Sequence, residues 1–213
     1  MRSSNYIISG RPIQTIQPCD ISYFAYDIRK DTTTLNRIKD LSAYNTLDIV
    51  SQIVQGLLAL SSKKINIHHR GIRPTCIFVN SFDDGYEAKL GCFETAKINV
   101  KVPEIDNVRT VMPYMSDSQQ NNVFVHPAIN ARDDISDKEW ELGDVYSLVV
   151  VLLYCIDREA VLEGTMNISS LYDCYSSEFV DQINDVLCSG SLDLVPSMKE
   201  FSLLLEQEKM SME

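Results

Sequence analysis

The longest apolar pattern in the chain lies in Trp140–Ile156, WELGDVYSLVVVLLYCI. From Val145 onward it is apolar on every side, with Ser147 the only small polar break. A helix apolar all round is a buried helix, in a core or in a membrane. The unbroken run Leu148–Ile156 falls well short of the ~20 residues needed to cross a bilayer. The pattern therefore predicts a central core helix. Its acidic start, at Glu139, Glu141 and Asp144, suits the positive end of the helix dipole.

Other segments are expected to pack around it. Residues 1–20, with Gly10, Pro12 and Pro18, read as an extended arm with one short strand near Ile13–Ile16. Ile21–Ile28 is aromatic-rich and strand-like. Thr32–Thr34 read as the cap of a short helix through Leu41. Asn45 or Thr46 reads as the cap of a longer one, because Ile49, Val50, Ile53, Val54, Leu57 and Leu58 recur at helical spacing. Ile65–Pro74 is a loop. Ile77–Val79 and Ala88–Leu90 are short strands, with Asp84-Gly85 between them as a hairpin signal. Residues 99–122 are polar and mixed, a surface loop. Ser176 caps a helix carrying Phe179, Val180, Ile183, Val186 and Leu187, and Pro196 opens a last one carrying Met198, Phe201, Leu204 and Leu205. The fold class is mainly α with small β-hairpins, and there are no internal repeats.

Charge narrows the partners. A net charge of −11 argues against nucleic acid or anionic lipid, which call for basic patches. No secretion signal is visible in the first residues, so the cytoplasm is the expected location. The six cysteines lack C-x-x-C spacing, which suits a reducing compartment better than a disulfide framework. Asn167-Ile168-Ser169 is a glycosylation sequon without a secretory context. The acidic run 133–141 reads as a solvated face rather than a docking patch, with Trp140 packing against the central helix.

The order of short motifs brings in a family. His69-Arg70-Gly71-Ile72-Arg73-Pro74-Thr75-Cys76-Ile77-Phe78-Val79 resembles the catalytic loop of protein kinases, H-R-D-L-K-P-x-N-I-L. Lys89–Lys97, KLGCFETAK, resembles the metal-binding K-L-x-D-F-G-x-A-K segment. Phe124-Val125-His126-Pro127-Ala128 falls where A-P-E closes the activation segment. Asp144-Val145-Tyr146-Ser147-Leu148 resembles the D-V-W-S-L opening of the large lobe's central helix, and Val195-Pro196-Ser197 falls where R-P-S opens a late helix. The matches run in the family's order, with the expected hairpin between the first two. The resemblance implies a kinase large-lobe-like domain over 21–208, between an N-terminal arm (1–20) and a C-terminal tail (209–213).

The departures from the family define the functional expectation. The catalytic Asp is Gly71, the magnesium-binding Asn is Cys76, and the Asp and Gly of D-F-G are Cys92 and Glu94. The Lys beside the transferred phosphate is Arg73. Glycine accepts no proton, and a thiol is a poor ligand for a hard cation. The sequence before the hinge-like Tyr26–Asp31 is too short for a nucleotide-clamping lobe and holds neither a Gly-rich loop nor the positioning Lys. Phosphoryl transfer rests on positioning and metal-assisted charge neutralisation.

The resemblance therefore implies a degenerate pseudokinase, not an enzyme and without cofactor. Its expected role is interaction or scaffolding among protein partners in a larger assembly, with a cytoskeletal or ciliary setting as one candidate. The alternative is a nucleotide-binding protein or a repurposed transferase using the degenerate pocket. His69, Arg70, Pro74, Phe93, Pro127 and Asp144 are then structural, with His69 packing on Phe93 and Asp144 binding the backbone of the loop. For Cys76 and Cys92 the preferred reading is two small buried hydrophobes; the alternative is a soft-metal or redox pair.

Overall fold

The computed structural model describes residues 10–16, 21–26, 28–61, 67–98, 123–130, 132 and 134–213, with the backbone alone for the two N-terminal strands and Ile98. The expected loop 99–122, residues 1–9 and 17–20 of the arm, and residue 133 of the acidic run lie outside the described residues. The fold is mainly helical, with small antiparallel sheets.

Its axis is the helix α3, Asp137–Ile156, in which every residue from Leu142 to Tyr154 is buried. It starts earlier than the apolar pattern alone implies, because Ser136 forms a capping box. The Ser136 hydroxyl accepts from Glu139 N at 3.3 Å, and Glu139 Oε2 accepts from Ser136 N at 2.8 Å. The polar break at Ser147 has a partner on either side, since its hydroxyl reaches Phe124 O (2.6 Å) and Gly143 O (2.9 Å). Gly143 leaves room for the short helix α2, Pro127–Asn130: a Cβ there would lie 2.4 Å from Ile129 Cδ1. The ~1 kcal/mol that a helical glycine costs is thus offset by close packing of α2.

Against α3 packs α1, Ala43–Leu60, which buries Leu47, Ile49, Val50, Ile53, Val54 and Leu57 as its periodicity requires. Its cap is Ser42, whose hydroxyl accepts from Asn45 N at 3.1 Å, not Asn45 or Thr46. The stretch expected to be a short helix is instead a two-residue strand, β3 (Thr33–Thr34), and a 3₁₀ turn, Leu35–Arg37. Thr33 and Thr34 pair with Val79 and Phe78, so ladder bonds replace helical ones.

The sheet β3–β5–β6 is completed by β5, Ile77–Phe82, and β6, Gly85–Leu90, in register from Ile77↔Leu90 to Phe82↔Gly85. The loop residues are Asp83-Asp84, and Gly85 follows them with φ +145. Gln52 of α1 seals the free edge of β6, accepting from Ala88 N and donating to Tyr86 O, each at 2.8 Å. A smaller sheet pairs β4, Ile67–His68, with β7, Lys97–Ile98. The N-terminal strands β1, Gly10–Ile16, and β2, Ile21–Tyr26, form an antiparallel hairpin. It joins the end of the expected arm to the start of the expected domain.

The C-terminal third contains α4 (Arg158–Leu162), α5 (Ser177–Cys188) and α6 (Met198–Ser211). Ser176 caps α5 as expected. Glu208 of α6, itself buried, braces that cap by accepting from Ser176 N (2.7 Å) and Oγ (2.6 Å). The cap of α6 is Ser197, one residue after Pro196, in a capping box with Glu200. The helix runs through Ser211, into the stretch set off as a tail, and Lys209 Nζ pairs with Asp48 of α1. The helix thus continues past residue 208, with that ion pair tying its last turn to α1. Among the described residues, no helix is long and apolar enough to cross a membrane.

Candidate functional site

The motif residues converge where the loop 69–76 meets the start of α3 and the turn after β6. His69 and Arg70 follow β4 directly, and both are buried. Their backbone amides donate to Asp144, His69 N to Oδ2 and Arg70 N to Oδ1, each at 2.8 Å. One carboxylate thus satisfies two buried donors that no strand or helix reaches. Burial pushes the Asp144 carboxyl up to about 7, against the pull of the two amides and of the Arg70 guanidinium.

The His69 ring is fixed by a hydrogen bond and by packing. Nε2 lies 2.7 Å from Gly91 O and therefore carries the proton, while the ring meets Phe93 edge-on at 4.8 Å. Burial lowers His69 to about 4, only partly opposed by the Gly91 carbonyl, so the imidazole is neutral at physiological pH. Arg70 adopts the left-handed backbone region, φ +65, and its guanidinium lies 4.4 Å from the Trp140 ring centroid. A cation over indole is a favourable pairing, and it anchors the loop to the first turns of α3.

Gly71 stands where the kinase resemblance expects a catalytic acid, and space accounts for a glycine there. A Cβ would lie 2.8 Å from Thr95 Oγ1, and that hydroxyl donates to His69 O at 3.1 Å. Arg73 Nε donates to Thr75 Oγ1 at 3.1 Å, and Pro74 opens the 3₁₀ turn Pro74–Cys76. Cys76 is buried, its thiol donating weakly to Gly71 O at 3.5 Å. Cys92 is half-buried and left-handed, φ +61, at a conformation that costs an L-residue roughly 1–2 kcal/mol. The interaction between the two thiols, with Arg73 nearby, lowers the Cys76 pKa against its burial, and it raises that of Cys92 together with burial.

Glu94 is exposed in the next turn, and Pro127 is exposed at the start of α2. The structure thus brings together His69, Arg70, Gly71, Cys76, Cys92, Phe93 and Asp144, and leaves Pro127 on another element. Among the described residues, no three His, Cys, Asp or Glu side chains are grouped as metal ligands. A neutral histidine, a buried carboxylate occupied by amides and a thiol pair can support sulfur chemistry. They offer no carboxylate at Gly71 to take a proton from a substrate hydroxyl.

The acidic run is occupied internally. Asp137 pairs with Lys97 at 3.5 Å, Glu139 with Ser136 and Arg132, and Glu141 Oε1 accepts from Met198 N at 3.1 Å. Two partners escaped the sequence reading, Thr95 behind Gly71 and the Arg70–Trp140 pairing. Both are long-range contacts without a local sequence signal. Comparison of the chain with models of known families and with curated proteins finds no match.

Proposed function

We propose that the chain is a degenerate protein kinase, built as a kinase-like large lobe, that acts as an interaction component of a larger protein assembly without phosphoryl transfer. The observation that carries this reading is the grip of Asp144 on the His69 and Arg70 amides. The carboxylate serves the loop's backbone, while the positions that would do chemistry in the family hold Gly71, Cys76 and Cys92. The supporting order is the same in space as in sequence: loop, hairpin β5–β6, the Cys92-Phe93-Glu94 turn and the buried helix α3. A scaffold that keeps such a loop rigid gains a defined surface without needing the acids.

The test is a titration of the full chain with Mg-ATP. A ligand that binds only the folded state raises its stability. Millimolar Mg-ATP is therefore expected to leave the melting temperature unmoved, while affinity purification from the native source retains stable protein partners. A rise of several degrees, saturable and magnesium-dependent, would replace this reading with nucleotide binding. Recovery of the chain alone, at native concentration, would remove the scaffold role.

A further inference from the structure

The ladder of β5 and β6 ends at the Ile77↔Leu90 pair. One more bond, Gly91 N to Cys76 O at 2.9 Å, ties the strand ends together beyond it. Cys76 is thereby held beside Gly91, the neighbour of Cys92. Directly opposed residues of antiparallel strands, here Cys76 and Gly91, have Cα atoms roughly 4.5–5.5 Å apart, which leaves Cys92, one residue further on, close to Cys76. The chain turns at Cys92 in the left-handed region, and the two thiols meet there. One sulfur is against the core and the other half open to solvent, and both are free cysteines.

We propose that Cys76 and Cys92 form a reversible dithiol–disulfide site that exchanges with small external disulfides such as oxidised glutathione. The strand-end geometry carries this site whether or not the chain is a degenerate kinase. The more accessible Cys92 sulfur, once its proton has passed to the Cys76 thiolate beside it, attacks one sulfur of the external disulfide and displaces the other, which takes up a proton. Cys76, having lost that proton in turn, then attacks the Cys92 sulfur of the mixed disulfide and releases the second small thiol. Two protein S–H bonds and one external S–S bond are broken; one protein S–S bond and two small-molecule S–H bonds are made. The electron pair passes from the protein thiols to the external disulfide. The product cross-links the loop 69–76 to the turn after β6, across a contact that the folded chain already makes, so it should form without large rearrangement.

The experiment equilibrates the full chain in glutathione buffers from fully reduced to fully oxidised, followed by acid quenching, alkylation and peptide mass mapping. Cys76 and Cys92 are expected to lose alkylation together and to appear in one linked peptide that dithiothreitol abolishes. The denaturation midpoint is expected to rise in step with the linkage. Cys188→Ser should keep both effects and Cys92→Ser should lose both. Cys76→Ala should instead trap one glutathione on Cys92. The wild-type map decides the matter even if a variant fails to fold. Full alkylation of both cysteines at every ratio would overturn the proposal. So would a glutathione adduct on wild-type Cys92 with Cys76 still free, or linkage of either to a different cysteine.

Discussion

At its His69–Arg70 end the loop 69–76 is held by a buried carboxylate, whereas at its Cys76 end it meets the thiol of Cys92. Both ends are packed and lie in one continuous stretch, yet one keeps a full acid in the core and the other holds glycine and sulfur. The difference lies in what each group serves. Asp144 satisfies backbone amides, which every sequence carries and which need acceptors wherever they are buried. An acid at Gly71, or a metal-binding side chain at Cys76 or Cys92, would answer only to a substrate or a cation. The buried carboxyl group sits where the backbone itself demands an acceptor.

The contrast can be broken most directly by removing the carboxylate. Asp144→Ala strands two buried amides at ~1–3 kcal/mol each, a loss of roughly 2–6 kcal/mol. Cys76→Ala in the same denaturant melts should cost about 1 kcal/mol, the loss of one small apolar contact. Equal costs would erase the distinction between the two ends.

A pH series sharpens it next, since His69 and Asp144 work in opposite senses. His69 falls from 6.5 to about 4 on folding, so its share of stability is complete above pH 6.5 and is lost as pH drops toward 4. The size is about 3 kcal/mol at ~1.4 kcal/mol per unit. Asp144 rises from 3.8 to about 7, so its share is complete below pH 3.8 and is lost as pH climbs through 7. Between pH 4 and 6.5 the two slopes oppose and largely cancel. Asp144→Asn should expose the His69 slope, with stability rising relative to wild type as pH goes from 4 to 7. Parallel profiles for the two proteins would mean that the Asp144 carboxyl stays ionised throughout.

Placing an acid at position 71 should cost less. Gly71→Asp forces Thr95 away from His69 O, an overpacking penalty of about 1–3 kcal/mol. In a Thr95→Ala background the penalty should shrink, a coupling that a double-mutant cycle resolves. Additive losses would show that Thr95 is not what excludes a side chain at Gly71. The smallest effect is expected at Cys92→Gly, within about 0.5 kcal/mol. Relief of the left-handed backbone is there offset by the freer unfolded chain and the lost thiol contact. A loss of several kcal/mol in the same melts would mean that the thiol pair braces the fold as firmly as Asp144 does.

Much of this architecture was legible in the order of residues. The all-round apolar run announced α3, the 3.6-residue spacing announced α1 and α5, and Ser176 marked its helix start, because these signals are local and repeat within a few residues. The hairpin was legible as well, to within one residue of its turn. Boundaries set by serine caps, Ser136 at α3 and Ser42 at α1, were displaced by a few positions. Several polar residues can compete for a cap, and the backbone decides among them.

What only the tertiary structure decided is who meets whom across long stretches of chain. Thr33–Thr34 joined a strand instead of a helix because β5 offered a free edge. Thr95 excludes a side chain at Gly71, Trp140 receives Arg70, and Gly143 admits Ile129, none of which has a periodic signature. The residue types at the site, Gly71, Cys76, Cys92 and Asp144, were plain from the sequence. Their physical state was not, because burial, hydrogen bonding and pKa depend on neighbours that folding brings from distant parts of the chain.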